Sequence, residues 1–357
     1  MSITADIAGG ILLSGACLEI CARLFYAKKF HMPWRSKVIG EYPYDEFVEK
    51  AEPPIHFQFR KGYRSRHVNI NSLGMRCAEP DSRIRKKKLL VIGESIFFGA
   101  KILNEKSLWC YQLQDILLRN NISDWEIFNA GFPGYNVYQY DAWWEKSLKN
   151  LEPDIVILQC GANDITQAYV MGEKWEPGLP WPWDFIMRQQ RKTGWWQKLL
   201  FHSCLYFMYR RKKLTERKGF ESAGNVFRLE ECIESLSENA GKIISDAQSM
   251  GARVLLSSFA MAYDPDSIEK NPPQLDSIQA NWRESLSSTG IPMIEFNNWW
   301  INEFSEQVSC PSLNLQEIFQ VHPKRYEMYL DVAHWNEAGH KLAAESIFGR
   351  LSELNWW

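Results

Sequence analysis

From Lys88 onward the chain alternates between short, almost unbroken apolar runs and longer stretches in which apolar positions return every three or four residues. The first pattern suits strands buried on both faces and the second suits amphipathic helices; their regular succession predicts βαβ units and a parallel sheet. Strands are predicted over Lys88–Gly93, Glu126–Asn129, Asp154–Cys160 and Arg253–Ser258, with a shorter fifth over Pro292–Phe296. Helices are predicted over Leu108–Leu118, Val137–Leu148, Phe227–Met250 and Glu337–Leu354, and Gly251 closes the third of them. The expected fold class is α/β: a three-layer α/β/α sandwich around a five-stranded parallel sheet, flavodoxin-like in type.

The alternation fails in two places. Residues 7–22 are mostly apolar, yet Gly9-Gly10, Ser14 and Glu19 interrupt them, so the run falls short of the ~20 clean residues of a membrane span. No basic stretch precedes it, which argues against a cleaved signal peptide. Arg23, Lys28, Lys29, Arg35 and Lys37 follow it, and by the positive-inside tendency they would hold the bulk of the chain on the cytoplasmic side. Residues 1–37 therefore read equally as a membrane anchor or as a helix docked on the domain, and localisation stands between membrane-associated and cytoplasmic. Residues 38–85, with Pro33 before them and Pro43, Pro53 and Pro54 inside, read as an irregular lead-in to a domain over 86–357. The second interruption is an insertion at 170–224. It carries Trp175, Pro177, Pro180, Trp181, Pro182 and Trp183, then an amphipathic stretch, Trp195–Tyr209, that ends in Arg210-Arg211-Lys212-Lys213. Because it leaves the sheet just after a strand's C-terminal end, a lid or substrate-binding cap is expected there; the alternative is a surface helix with a solvated basic tail.

Composition narrows the function classes. A hydrophobic fraction of 45%, a charged fraction of 24% and a net charge of -2 describe a globular protein with no electrostatic reason to bind nucleic acid. The 8 cysteines are dispersed with no CxxC pair, so neither a zinc site nor a disulfide framework is indicated. The 16 tryptophans are unusual and include the pairs Trp143-Trp144, Trp195-Trp196, Trp299-Trp300 and Trp356-Trp357. Beside ordinary packing, such pairs offer a platform for a sugar ring, an acyl chain or a lipid headgroup zone.

The candidate chemistry lies where strands end. Lys88–Ile92 breaks into Gly93-Glu94-Ser95, which puts the Ser95 hydroxyl at a strand-to-helix corner beside backbone amides free to face an anion. Asn129-Ala130-Gly131-Phe132-Pro133-Gly134 follows the second strand, Gly161-Ala162-Asn163-Asp164 follows the third, and Asp331-Val332-Ala333-His334 precedes the last helix. Acyl transfer needs a nucleophile, a base, a carboxylate to orient the base and donors for an oxyanion. Ser95, His334 and Asp331 fill the first three roles; the Ser95 and Gly134 amides and the Asn163 side chain fill the fourth. A metal set drawn from Asp331, His334, Glu337 and His340 is disfavoured, because the last two diverge around a helix. No metal or cofactor is expected, and His202, His322 and His340 are left structural.

In their order, the four blocks resemble those of the SGNH hydrolases, also called GDSL esterases and lipases. The resemblance covers about Lys88 to the C-terminus, interrupted by the insertion, and implies Ser95 as nucleophile with Gly134 as the glycine-block donor. Glu94 stands where that family usually has Asp. Asn71-Ser72-Leu73-Gly74-Met75-Arg76 also resembles a segment ahead of the nucleophile block in many bacterial members, which often carry an N-terminal membrane segment. The expectation is a serine hydrolase cleaving small-molecule, lipid or glycan esters through an acyl-enzyme. The alternatives are an acyl transferase acting on a polysaccharide or lipid, and a catalytically inactive binding protein. A nucleotide-binding module is disfavoured, since neither GxGxxG nor GxxxxGK[ST] follows the first strand; a Gly-x-Ser-x-Gly elbow is also missing, with Phe97 where its last glycine would stand.

Overall fold

In the computed structural model the described residues are 14–25, 44–81, 86–180, 203, 205, 228–279 and 282–357. The chain forms two compact units, Met1–Glu46 with Asp184–Glu221, and Phe47–Trp183 with Ser222–Trp357.

The larger unit begins with β1 (Val48–Lys50) and β2 (Phe57–Phe59), a short antiparallel pair. The main sheet follows: β3 (Lys87–Ile92), β4 (Trp125–Asn129), β5 (Ile155–Leu158), β6 (Arg253–Ser257) and β7 (Ser312–Leu313), all parallel, in the order β4-β3-β5-β6-β7. Leu89 to Ile92 of β3 and Ile155 to Leu158 of β5 are 0% exposed, which is why both read as unbroken apolar runs instead of alternating ones.

The helices beside the sheet include α1 (Ser95–Phe98), α2 (Trp109–Arg119), α3 (Val137–Trp143), α4 (Ala162–Met171), α5 (Leu229–Ser249), α6 (Ile291–Trp299), α7 (Leu315–Val321) and α8 (Glu337–Glu353). α2 packs on α8, while α5 packs on α3 and α4, so the sheet is flanked by helices in the expected three-layer manner. Local chemistry fixes several starts. Asn136 and Gln139 form a reciprocal capping box on α3, and the Asn336 side chain accepts from Ala338 N (2.9 Å) and Gly339 N (3.2 Å) at the head of α8.

The predicted strand at Pro292–Phe296 is a correction: those residues lie in α6. Met293, Ile294, Phe296 and Asn297 are buried while Glu295 is exposed, a helical spacing that a five-residue apolar run does not distinguish from a buried strand. Pro292 suits the first turn of a helix, where its missing N–H is not needed. The fifth strand is instead β7, two residues long; Leu256 N donates to Pro311 O (3.0 Å) and Ser258 N to Leu313 O (3.1 Å) to hold it.

From Phe47 onward the lead-in belongs to the larger unit. Phe59 of β2 stacks on Phe98 (5.0 Å between centroids) and on Phe132 (4.2 Å), the Tyr135 hydroxyl donates to Phe57 O, and Gln139 Nε2 donates to Ile55 O at 3.0 Å.

In the smaller unit, residues 14–25 are helical. Glu19 pairs with Arg23 (2.7 Å) and accepts from Ser203 Oγ (2.8 Å) and Leu205 N (3.2 Å). Among the described residues no helix is long and apolar enough to cross a membrane; residues 7–13 of the apolar run lie outside them. Of the insertion at 170–224, residues 170–180, Ser203 and Leu205 are described, and Trp175 is buried; the rest of the expected lid, including the remainder of Trp195–Tyr209 and the basic cluster at 210–213, lies outside the described residues.

Candidate active site

β3 delivers Ser95. After Ile92 the chain passes through Gly93 and an extended Glu94 (φ -88, ψ -161), and Ser95 opens α1, which closes one turn later at Gly99 with φ 76. A Cβ on Gly93 would lie 2.8 Å from the Phe97 ring, so the corner cannot be this tight with a larger residue. The Ser95 N–H has no hydrogen-bond partner among the described residues, as expected of the first donors of a helix.

His334 meets this corner from the loop ahead of α8. Its Nε2 lies 2.9 Å from Ser95 Oγ, and its Nδ1 lies 2.9 Å from Asp331 Oδ1 and 3.0 Å from Oδ2. The carboxylate needs a proton on Nδ1, which leaves the Nε2 lone pair facing the serine hydroxyl; this tautomer follows from the network. The loop is closed on itself by Leu330 N to His334 O (2.8 Å) and Asn336 N to Met328 O (2.8 Å), and is tied to the segment after β6 by Ala262 N to Val332 O (2.8 Å). Trp335, fully buried, pins its far side.

Asp331 is the most heavily bonded group here. Oδ1 also accepts from Ala333 N (3.0 Å) and His334 N (2.8 Å), and Oδ2 pairs with the Lys101 ammonium. Burial alone would raise this carboxyl; the charges of His334 and Lys101 outweigh it and hold the group well below the usual carboxylate range.

The other two blocks stand beside Ser95. Gly134 takes φ 80, and its N–H also has no partner among the described residues. Asn163 Nδ2 donates to Tyr135 O (2.9 Å), which uses one amide hydrogen and leaves the second. Its backbone N–H donates to Glu94 Oε1 (2.9 Å), so Glu94 links the nucleophile corner to the start of α4. Gly161, at φ 110, makes the entry to α4 as close as it is, since a Cβ there would fall 2.3 Å from the Phe296 ring. Buried Glu94 is pushed well above its ordinary range by loss of hydration and then by the neighbouring charge of Asp164. Burial pushes Asp164 up to about 7, against bonds from Val137 N at 3.1 and 3.3 Å. Asn129 completes the frame, donating from Nδ2 to Phe97 O (2.9 Å) and accepting from Gly131 N (3.0 Å).

A model of the GDSL-like Lipase/Acylhydrolase family matches residues 91–342. The chain belongs to this family. It is an ester hydrolase by that membership. No curated protein matches it by sequence. Among solved structures it is similar to the acetyl xylan esterase AlAXEase (15% identity, 74% of this chain and 99% of that one, TM-score 0.45). Others are the lipase/acylhydrolase from Enterococcus faecalis (14%, 74% and 95%, 0.45) and TesA (16%, 75% and 99%, 0.44).

In this GDSL-like hydrolase the sequence-predicted Ser95, His334 and Asp331 form one hydrogen-bonded chain, with Asn163 joined to the neighbours of Gly134 and of Ser95. His340 lies apart, buried with Nδ1 accepting from Trp109 N at 3.4 Å. Among the described residues no three His, Cys, Asp or Glu side chains converge as metal ligands. Two residues escaped the sequence reading. Lys101 gives no signal, being one lysine on a turn. Arg76 lies in the segment singled out ahead of the nucleophile block, but nothing in its spacing reveals what it holds.

Proposed function

We propose that the chain cleaves carboxylic esters by way of a covalent acyl-Ser95 intermediate. Ser95 Oγ attacks the ester carbonyl as His334 Nε2 takes its proton; Asp331 keeps the imidazole in the required tautomer and stabilises the imidazolium. The tetrahedral oxyanion is received by the N–H groups of Ser95 and Gly134 and the remaining amide hydrogen of Asn163. His334 then protonates the departing alcohol, and the same cycle with water releases the acid and restores Ser95. The observation that carries this reading is the unbroken line from Ser95 Oγ through His334 to Asp331, with bonds of 2.9 Å on either side of the ring.

The test is hydrolysis of p-nitrophenyl esters of graded acyl length, together with labelling by a fluorophosphonate probe. The wild type should turn over esters and take up the probe, and Ser95→Ala should do neither while remaining folded. Equal labelling of both proteins would refute the assignment. Product analysis with a sugar acceptor present separates hydrolysis, which yields free acid, from acyl transfer.

A further inference from the structure

Lys101 belongs to the nucleophile corner by its backbone and to the base loop by its charge. It follows the closing turn of α1 in the left-handed region, with φ 70, a conformation that lysine seldom adopts. Arg76 stabilises that turn. Its fully buried guanidinium donates to the carbonyls of Phe98 (3.2 Å), Gly99 (2.7 Å) and Ile102 (2.7 Å), residues on both sides of Lys101, and to His67 O at 3.0 Å. The ammonium so placed pairs with Asp331 Oδ2, while His334 Nδ1 reaches both oxygens of the same carboxylate.

We propose that Lys101 is a positioning residue for ester cleavage: it locks the Asp331 carboxylate onto His334 and, by sharing the carboxylate's charge, lets the imidazole act as base at lower pH. This rests on the Ser95–His334–Asp331 reading given above. A carboxylate with no other cation holds a protonated imidazole firmly and keeps the base blocked until the pH is higher; a second cation on that carboxylate loosens the hold. Among the described residues, the other titratable or charged groups acting on Asp331 or His334 leave this role to Lys101. Burial pushes Tyr263, which senses Asp331, up to about 12, and it stays neutral. Burial and then the Arg76 charge push His340, which senses His334, down to about 3, and it too stays neutral. Arg76 is a fixed cation whose bonds go to carbonyls. Lys101 is 47% exposed and Asp331 19%, so salt should screen the pair partially and not abolish it.

The experiment is the pH profile of kcat/KM for p-nitrophenyl acetate with wild type, Lys101→Met, Lys101→Asn and Lys101→Arg. Asparagine tolerates the left-handed backbone better than most residues, so Lys101→Asn serves where Lys101→Met does not fold. Removing the charge in either variant should move the acid limb upward by about 0.5–1 pH unit, with KM unchanged. Lys101→Arg should restore the limb to near its original position, and raising the salt concentration should move the wild-type limb towards that of Lys101→Met. A Lys101→Met or Lys101→Asn limb that superimposes on the wild type overturns the proposal, as does an equal shift in Lys101→Arg or a change confined to KM. Ser95→Ala is measured alongside. If it retains turnover, the underlying reading fails; if it is inactive while the Lys101 profiles do not move, only the role of Lys101 fails.

Discussion

The two walls of the site are built by different means. Ser95, Gly134 and Asn163 stand on the turns that directly follow β3, β4 and β5, so the register of a buried parallel sheet places all three. Asp331 and His334 follow no strand: α7 separates them from β7, and their loop is placed by a few backbone bonds, a buried tryptophan and the cap of α8. One wall inherits its precision from the core, whereas the other must generate it locally. In the proposed mechanism, Ser95, Gly134 and Asn163 are kept fixed by the sheet while His334 depends on the packing of a single loop.

That contrast can be broken at several points. The largest effects should come from chemistry: Ser95→Ala should lower kcat by about 10⁶-fold and Asp331→Asn by about 10⁴-fold, as expected when a triad loses its nucleophile or the group that fixes its tautomer. A much milder Asp331→Asn would mean the base wall is less dependent on its carboxylate than drawn. Asn163→Ala, on the sheet-built wall, should cost about 10²–10³ in kcat by removing one oxyanion donor, with circular dichroism unchanged.

Stability should separate the walls next. Ile157→Ala in central β5 should cost about 3–5 kcal/mol and Leu313→Ala in two-residue β7 about 2 kcal/mol in urea unfolding, because the edge can collapse into the space left behind. Equal losses would show that the two-residue edge strand is packed as rigidly as the centre of the sheet.

The smallest expected effect is a pH slope. Asp164 is raised from 3.8 to about 7. Between these values the folded chain holds more protons than the unfolded one, so the contribution is fully present below the lower value and is lost as pH rises through the upper one. Glu94, also raised, acts in the same sense, while depressed Asp331 opposes it by losing its contribution as pH falls. The urea midpoint of Asp164→Asn should therefore change less between pH 5 and 8 than that of the wild type. Parallel slopes would show that Asp164 is not the group responsible.

The same division decides what was legible in the sequence. β3 and β5 announced themselves because segments buried on both faces are apolar, and β4 and β6 through the short apolar runs Ile127-Phe128 and Val254-Leu255-Leu256. β7 could not, since Ser312-Leu313 is too short to carry a period, whereas Pro292–Phe296 is a brief apolar run that fits either a strand or a helix. The groups proposed to react were readable from residue type and order: a hydroxyl after Gly93, an amide after Gly161, an imidazole three residues past a carboxylate. Their supports were not. Glu94 reaches across to the backbone of Asn163, Lys101 bonds a residue far along the chain, and Arg76 bonds carbonyls, which every residue has; none of these partners leaves a mark at a fixed spacing.

The hairpin of β1 and β2 lies wholly ahead of residues 91–342, the stretch that carries the family's signature. Yet Phe59 backs both Phe98 and Phe132, and Arg76 holds the turn beyond α1. The smallest autonomous piece of this enzyme therefore extends well upstream of its recognisable portion, and a truncation that began at the first matched residue would strip the rear support from the very turn that presents the serine.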